Sequence, residues 1–257
     1  MDQLIYKTYA RYYDVIYRDY LRDSVPRLVD FIVNVFSIDA ERNVKDVLDV
    51  ACGTGGPTIE LAKRGYTLVG VDINREVIEI ARRKAAELDI SVRFEVGDMR
   101  KLQFNNDFDA AMCIFTSINY NLTDEDILAT LRGIHRSLRK GGVFIADFPN
   151  PLMAERWFYG TPIIWRVDEE NRSILIIDSV LMNRVTLMID WVRTLIVHEQ
   201  GQVKMIPDRH RLRAYTANEM KLLARMAGFR KVKIYGDMNI SEEPPRHARR
   251  LFLVAVK

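Results

Sequence analysis

The stretch Asp49 to Gly55, DVACGTG, decides the fold that the sequence predicts. It closes a short apolar run, Val44 to Ala51, and a segment with helical spacing, Thr58 to Arg64, follows it. A glycine-rich turn between a strand and a helix lets backbone N–H groups approach a ligand, and a helix N-terminus favours anionic groups. The stretch therefore predicts a ligand-binding turn at the end of a buried strand, a feature that many nucleotide-binding folds share.

Strand and helix patterns alternate on both sides of this turn. A helical pattern covers Val25 to Phe36, and Gly141 and Gly142 are expected to end a later helix. The other predicted strands are Thr67 to Asp72, Ser91 to Val96, Phe108 to Phe115 and Val143 to Phe148, and further predicted helices are Arg75 to Leu88 and Thr123 to Arg139. Because crossover helices join parallel strands, this order predicts an α/β fold.

The pattern changes at Trp157. Three long alternating segments, near 173–181, 185–198 and 203–214, have no helix between them and predict an antiparallel meander, with turns near Asn183 and at Gln200-Gly201. A helix capped by Thr216 and Glu219 follows. The last predicted strands, Lys231 to Tyr235 and Leu251 to Val256, have no helix between them and should pair antiparallel.

Composition and charge are those of an ordinary globular protein. Of the 257 residues, 48% are hydrophobic and 28% are charged, and the 38 basic and 35 acidic residues give a net charge of +3. The basic residues are spread along the chain, which is not the pattern of a dedicated nucleic-acid binder. Cys52 and Cys113 are the two cysteines, so no disulfide framework is predicted, and we expect a cytoplasmic protein without signal peptide or membrane span.

An acid at the end of the second predicted strand makes the turn more specific. Nucleotide-binding turns have an acid about 20 positions further on that accepts hydrogen bonds from ribose hydroxyls, and Asp72 stands there. A plain turn and a helix cap explain either feature taken alone. A dinucleotide fingerprint would require a third glycine where Thr58 stands and has no set role for Asp49, so the turn fits a dehydrogenase poorly.

Over essentially its whole length the sequence resembles the class I S-adenosylmethionine-dependent methyltransferases. The resemblance rests on DVACGTG, on VGVD at 69–72, on GDM at 97–99 and on the closing strand pair. It implies a seven-stranded Rossmann-like sheet with the meander inserted after strand 5, and S-adenosylmethionine as cofactor, leaving as S-adenosylhomocysteine. The cofactor-binding residues that it implies are Asp49, Ala51, Gly53 and Gly55 around the methionine part, Asp72 and Ile73 at the ribose, Asp98 and Met99 at the adenine, and Phe115 on the sulfonium side.

We expect one methyltransferase domain over residues 1–257. Its predicted parts are an N-terminal helical lid at 1–40, a cofactor-binding core at 41–152, an inserted antiparallel sheet over the substrate site at 153–215, and the last helix with two closing strands at 216–257.

Five tyrosines with helical spacing lie between residues 6 and 20 of the leader. Such a stripe packs on a core more often than it binds a ligand. The pattern YD-x-x-Y at Tyr13 and Tyr17, with GDMRKL and FTSINY, resembles the branch containing sugar-amine N-methyltransferases and glycine N-methyltransferase. That resemblance implies that the leader covers the cofactor, with Tyr12 or Tyr13 closing over it, and that Tyr17 faces the transferred methyl group.

Three further residues are candidates for the acceptor side. Arg193 interrupts an apolar face, and we interpret it first as an ion pair with Asp190 or Asp178 and otherwise as a clamp for an anionic substrate group. His210 faces inward and is the candidate base, although a packed histidine explains it as well. Tyr17, His210 or Asp147 could accept the proton of an amine. No metal is predicted, because no histidine or cysteine has metal-ligand spacing.

These features predict a methyltransferase that transfers a methyl group to a nitrogen or oxygen of a small-molecule acceptor. The alternatives are a methyltransferase acting on RNA or protein, a cofactor-binding regulator without catalysis and, as the weakest, an NAD(P)-dependent oxidoreductase. We expect no dedicated nucleic-acid or membrane partner, and a monomer or homodimer.

Overall fold

The computed structural model describes residues 10–153, 161–241 and 243–257 of the chain. Its strands are β1 (Asp46–Val50), β2 (Thr67–Asp72), β3 (Arg93–Val96), β4 (Phe108–Cys113), β5 (Leu138–Pro149), β6 (Ile163–Glu169), β7 (Arg172–Met182), β8 (Met188–Glu199), β9 (Gln202–Arg213), β10 (Lys231–Gly236) and β11 (Arg250–Val256). Its α-helices are α1 (Tyr13–Ile16), α2 (Arg18–Asp39), α3 (Gly56–Lys63), α4 (Arg75–Glu87), α5 (Asp124–Ser137) and α6 (Ala217–Met226). Tyr6, Tyr9 and Trp157 lie outside the described residues.

Seven strands form the larger sheet, in the order β10-β11-β5-β4-β1-β2-β3. The first five strands are parallel, and β11 lies antiparallel between β5 and β10. This arrangement confirms the predicted fold, including the antiparallel pair at the end of the chain. The strand order reverses between β1 and β4, so their carboxyl ends border the crevice where open α/β sheets bind ligands.

Both faces of this sheet are buried. Along β1, Val47 packs with α2 on one face, and Leu48 packs with α5 on the other. Burial on both faces explains why the central strands are apolar throughout rather than alternating. The two cores hold the carboxyl ends of the parallel strands in fixed positions beneath the crevice.

The end of the helix before β5 differs from the prediction. The helix α5 ends at Ser137, and β5 begins at Leu138, so Gly141 and Gly142 lie inside a strand rather than at the end of a helix. Gly141 has a φ of +78°, and the pairing register with β4 shifts between Phe108 and Ala110. A glycine pair marks a strand irregularity as readily as a helix end, which explains the error.

The inserted segment forms a separate four-stranded antiparallel sheet, β6-β7-β8-β9, which we call the roof. Its first strand, β6, precedes the three predicted segments, and the predicted turns at Asn183 and Gln200-Gly201 are present. The roof packs against the leader through Tyr12 and Ile16. Within the described ranges no helix is long and apolar enough to cross a membrane.

Candidate active site at the ends of the central strands

The glycine-rich turn after β1 carries three residues with left-handed backbone. These are Ala51 (φ +59°), Gly53 (φ +54°) and Gly55 (φ +79°), and Gly55 is the N-cap of α3. A Cβ added at Gly53 would meet nothing within 4 Å, so this residue borders open space. A Cβ at Gly55 would lie 3.0 Å from Cζ of Phe94, so the second glycine permits close packing behind the turn.

A cavity of about 440 Å³ lies over this turn. The ends of β2, β3 and β4, the leader and one roof residue, Arg211, complete its wall. The predicted cofactor residues on the wall are Ala51, Gly53, Asp72, Ile73, Asp98, Met99 and Phe115.

Asp72 is held in place by backbone groups. Its Oδ2 accepts a hydrogen bond from Gly53 N and its Oδ1 accepts one from Asn74 N, both at 2.9 Å. Burial raises the pKa of this carboxyl, and the backbone N–H groups of Asn74, Gly53 and Ile73 counteract part of that rise. A carboxylate has about four lone-pair sites, so Asp72 keeps capacity for a ribose hydroxyl beside these three backbone donors.

Asp49 lies behind the wall of the cavity rather than on it. Its side chain is buried, and Thr58 Oγ1 donates a hydrogen bond of 2.5 Å to its Oδ2. Burial raises the pKa of Asp49 to about 7, although the Thr58 hydrogen bond acts in the opposite direction. Asp49 and Gly55 therefore shape the turn without lining the cavity, and Thr58 is the partner that the sequence interpretation missed.

At the predicted adenine end, Asp98 is already paired with an arginine. Arg100 donates to it from the backbone at 2.9 Å and from Nη2 at 2.7 Å, and also reaches Asp126 at 3.3 Å. Burial alone would raise the pKa of Asp98, but the hydrogen bonds from Arg100 hold it below its ordinary value. Sulfur of Met99 accepts from Asn121 Nδ2 at 3.4 Å. Arg100 and Asp126 line the cavity and were not predicted.

The leader places Tyr13 on the cavity and turns Tyr12 away from it. Tyr12 is 1% exposed, and its hydroxyl donates to Oε1 of Glu199 in the roof at 2.9 Å. Tyr13 is among the residues that line the cavity, and Tyr12 is not. Of the two tyrosines left open for closing over the cofactor, Tyr13 is therefore the one placed to do so.

The ring of Tyr17 contacts the ring of Tyr13, which lines the cavity. Its ring centroid is 4.9 Å from that of Tyr13 and 6.1 Å from that of Trp165, and Arg193 Nη1 donates to its hydroxyl at 2.6 Å. Burial raises the pKa of Tyr17, with Arg193 opposing the rise. Tyr17 does not belong to the described cavity wall, so a direct contact with the methyl group stays a prediction.

The two predicted substrate residues, Arg193 and Asp147, are engaged in buried ion pairs. Arg193 is 1% exposed and binds Asp178 through Nε at 2.7 Å and Nη2 at 2.6 Å. This is the ion pair that was expected, with Asp178 and not Asp190 as the partner. Asp147 pairs with Arg250 and accepts from the backbone of Thr116 at 3.3 Å. Neither residue lies on the cavity wall, because both side chains are directed at these partners.

His210 is 3% exposed and lies between two polar side chains. Its Nδ1 is 3.2 Å from the hydroxyl of Tyr120, which lines the cavity, and its Nε2 is 3.3 Å from Oδ2 of Asp208. The sequence interpretation named His210 and missed both neighbours. Among the described residues, no three side chains of the metal-binding types His, Cys, Asp and Glu are grouped to hold an ion.

The chain is similar to known methyltransferases. Residues 47–142 match a family model described as a methyltransferase domain. The whole chain is 26% identical over 255 residues, 99% of this chain and 100% of the relative, to a putative methyltransferase of Geobacillus sp. (strain WCH70). It is 27% identical over 152 residues, 58% and 61% of the two chains, to a dTDP-3-amino-3,4,6-trideoxy-alpha-D-glucopyranose N,N-dimethyltransferase of Streptomyces venezuelae.

Solved structures share the whole architecture. An S-adenosylmethionine-dependent methyltransferase of Clostridium acetobutylicum superposes with a TM-score of 0.80, at 20% identity and 98% coverage of both chains. The sugar N-methyltransferase KedS8 of Streptoalloteichus sp. superposes with a TM-score of 0.78, at 21% identity, covering 95% of this chain and 92% of the other.

The sheet order and the glycine-rich turn beneath the cavity define a protein of the class I methyltransferase fold. With the matching methyltransferase domain, the chain is an S-adenosylmethionine-dependent methyltransferase, as DVACGTG and Asp72 predicted. The alternative of an NAD(P)-dependent oxidoreductase is thereby set aside.

Proposed function

We propose that this methyltransferase transfers the methyl group to the amine nitrogen of a small-molecule acceptor that lies between the cavity and the roof. The observation that carries the proposal is a row of charges on the inner face of the roof. Asp178, Arg193 and Asp208 are direct cross-strand partners on β7, β8 and β9. The carboxylate of Asp178 neutralises Arg193, so the row carries one excess negative charge, on Asp208.

The excess negative charge of this row favours an amine acceptor over an anionic one. Oδ2 of Asp208 is buried and lies 3.3 Å from Nε2 of His210, and a buried carboxylate favours a cationic or N–H group nearby. The rings of Tyr17 and Trp191 lie 5.4 Å and 4.9 Å from the guanidinium carbon of Arg193 and help to stabilise its charge. The relative from Streptomyces venezuelae, which its name describes as an N,N-dimethyltransferase of an amino sugar, supports the same acceptor class.

The residues on the cavity wall fit the cofactor. We assign the ribose to Asp72, which keeps free lone pairs, the methionine part to the open space at Gly53, the adenine to Asp98 with Met99, and the sulfonium side to Phe115. When bound, S-adenosylmethionine supplies an electrophilic methyl group. Tyr13 covers the cavity from the leader and, together with the roof, limits access by water.

The chain's own contribution is mainly alignment. Holding two reacting groups in position can supply about 7 to 11 kcal/mol of a barrier. Tyr17, fixed by its hydrogen bond from Arg193, would form part of the wall against which the acceptor is oriented.

An acceptor screen with matched pairs tests the proposal. Purified protein with S-adenosylmethionine is offered glycine against glycolate, and a dTDP-3-amino sugar against the corresponding dTDP-3-hydroxy sugar, and release of S-adenosylhomocysteine is measured. We expect release with at least one amine and none above background with its oxygen counterpart. Release with hydroxyl acceptors alone, or transfer of labelled methyl groups to added RNA or protein alone, would refute the amine assignment.

A further inference from the structure

We propose that Tyr120, His210 and Asp208 form a proton-accepting series that leads from the cavity wall into the roof. In this series Tyr120 contacts the acceptor amine and is a catalytic residue, while His210 and Asp208 act through it. The role rests on the proposed amine methylation, because it concerns how the amine loses the proton that blocks its lone pair.

The geometry connects the cavity to a buried imidazole. Tyr120 lies in the turn after β4 and lines the cavity, and its hydroxyl is 3.2 Å from Nδ1 of His210. The imidazole is 3% exposed, and the ring of Trp191, its cross-strand partner, lies 5.5 Å away. His210 therefore does not reach the cavity itself, and any proton that it takes from an acceptor has to pass through Tyr120.

The other side of the imidazole faces a carboxylate. Asp208 lies two residues before His210 on β9, so both side chains project from the same face of the strand, and its Oδ2 is 3.3 Å from Nε2. A carboxylate beside Nε2 favours the tautomer that carries the proton there, which leaves the Nδ1 lone pair for the Tyr120 hydroxyl. Charged and titratable groups of the described residues that lie near His210 include Asp208, Tyr120, and the pair of Arg193 with Asp178.

The proton transfer is balanced at each atom. An N–H bond of the acceptor ammonium breaks, its electron pair stays on nitrogen as a lone pair, and the proton forms a new O–H bond at Tyr120. The former hydroxyl proton of Tyr120 forms an N–H bond at Nδ1 of His210. The imidazolium that results is stabilised by Asp208, and later returns its proton to solvent. No oxidant or further reactant is required.

Nuclear magnetic resonance of the histidine rings tests the series without an acceptor. The chain has four histidines, so the ring ¹⁵N signals of protein saturated with S-adenosylhomocysteine can be assigned with the His210→Gln variant. We expect neutral His210 to carry its proton on Nε2. In Asp208→Asn the fraction of neutral His210 that carries its proton on Nε2 should fall, because the neighbouring negative charge that favours this tautomer is lost.

His198, exposed at the end of β8, is the control, and its tautomer ratio should not change in Asp208→Asn. A neutral His210 with its proton on Nδ1 would contradict the proposal, because Nδ1 would then donate to Tyr120 rather than accept from it. An unchanged tautomer ratio of His210 in a folded Asp208→Asn protein would contradict it as well. The tautomer of the wild type is decisive even if that variant does not fold.

Kinetics separate the series from a structural role. With an amine identified in the acceptor screen, Tyr120→Phe should lower kcat about 100-fold and change the KM for S-adenosylmethionine little. The packed tyrosine variant Tyr66→Phe, in which the ring contact with Phe36 is retained, should match the wild type. A fall in KM and kcat together, or no fall, would overturn the assignment of Tyr120. Absence of turnover with every amine would instead refute the amine acceptor, whatever the tautomer of His210.

Discussion

The cofactor side of the site and the roof side are built from different kinds of contact. At the glycine-rich turn, the backbone of Gly53 binds the carboxylate of Asp72, only 19 residues further along the chain. Beneath the roof, Arg193 and Tyr17 are 176 residues apart. Short-range backbone contacts define the cofactor side, and long-range side-chain contacts define the acceptor side. The first kind leaves a motif in the sequence, and the second kind does not.

The largest effect is expected from breaking the buried pair in the roof. Arg193→Met leaves Asp178 buried without its partner, so the free energy of unfolding should fall by about 3 to 5 kcal/mol in urea denaturation. Arg166→Met, in the exposed pair with Asp168, is the matched control and should change it by less than about 1 kcal/mol. Equal effects of the two variants would mean that the roof does not depend on its buried pair.

On the cofactor side, the two glycines of the turn should respond differently. Both Gly53→Ala and Gly55→Ala place a Cβ on left-handed backbone, which costs about 1 to 2 kcal/mol. Gly55→Ala adds a close contact with Phe94 and should lower the melting temperature further, whereas Gly53→Ala should mainly weaken binding of S-adenosylhomocysteine. The reverse ranking in calorimetric scans and titrations would place the ligand at Gly55 instead.

The contact between leader and core should have a smaller effect. Asp14 accepts hydrogen bonds from Thr54 Oγ1 at 2.7 Å and from Lys84 Nζ at 2.9 Å, which ties the leader to the turn. Asp14→Ala should speed dissociation of S-adenosylhomocysteine about fivefold in stopped-flow measurements. Asp19→Ala, exposed on α2, serves as the control, and equal rates in both variants would show that Asp14 does not hold the leader closed.

The buried carboxyl of Asp49 should change how stability depends on pH. Burial raises the pKa of Asp49 in the folded protein from its ordinary 3.8 to about 7, so folding favours the protonated form. Its contribution to stability is present below pH 3.8 and is lost as the pH rises to about 7. Asp49→Asn should therefore lose less stability than the wild type across this interval in urea titrations. Parallel curves would show that Asp49 is ionised in the folded protein throughout.

The difference between short-range and long-range contacts also explains how much the sequence could predict. Periodicity located the central strands, spacing placed Asp72 at the end of β2, and the family resemblance placed Asp98 just after β3. These features depend on neighbours along the chain. The orientation of the short leader helix depends instead on its packing against the roof, and so the sequence left Tyr12 and Tyr13 open where the structure places Tyr13 on the cavity wall.

Long-range pairing accounts for the other omissions. Arg250 meets Asp147 only because β11 lies beside β5 in one register, with Arg250 opposite Pro149. Tyr120 meets His210 across 90 residues of chain. Neither register can be derived from alternation in a single strand, since a one-residue shift changes every partner. The sequence therefore identified His210 as the candidate base, but it did not identify Tyr120, which connects His210 to the cavity.

Titration calorimetry of S-adenosylhomocysteine with one variant from each side is the most direct test of this division. Asp72→Asn removes the carboxylate charge assigned to the ribose, and binding should weaken about 100-fold, because hydrogen bonds to a charged acceptor contribute about 1.5 to 3 kcal/mol each. His210→Gln changes the roof only, and its affinity should stay within about twofold of the wild type. Unchanged binding by Asp72→Asn, or an equal loss in His210→Gln, would contradict the account.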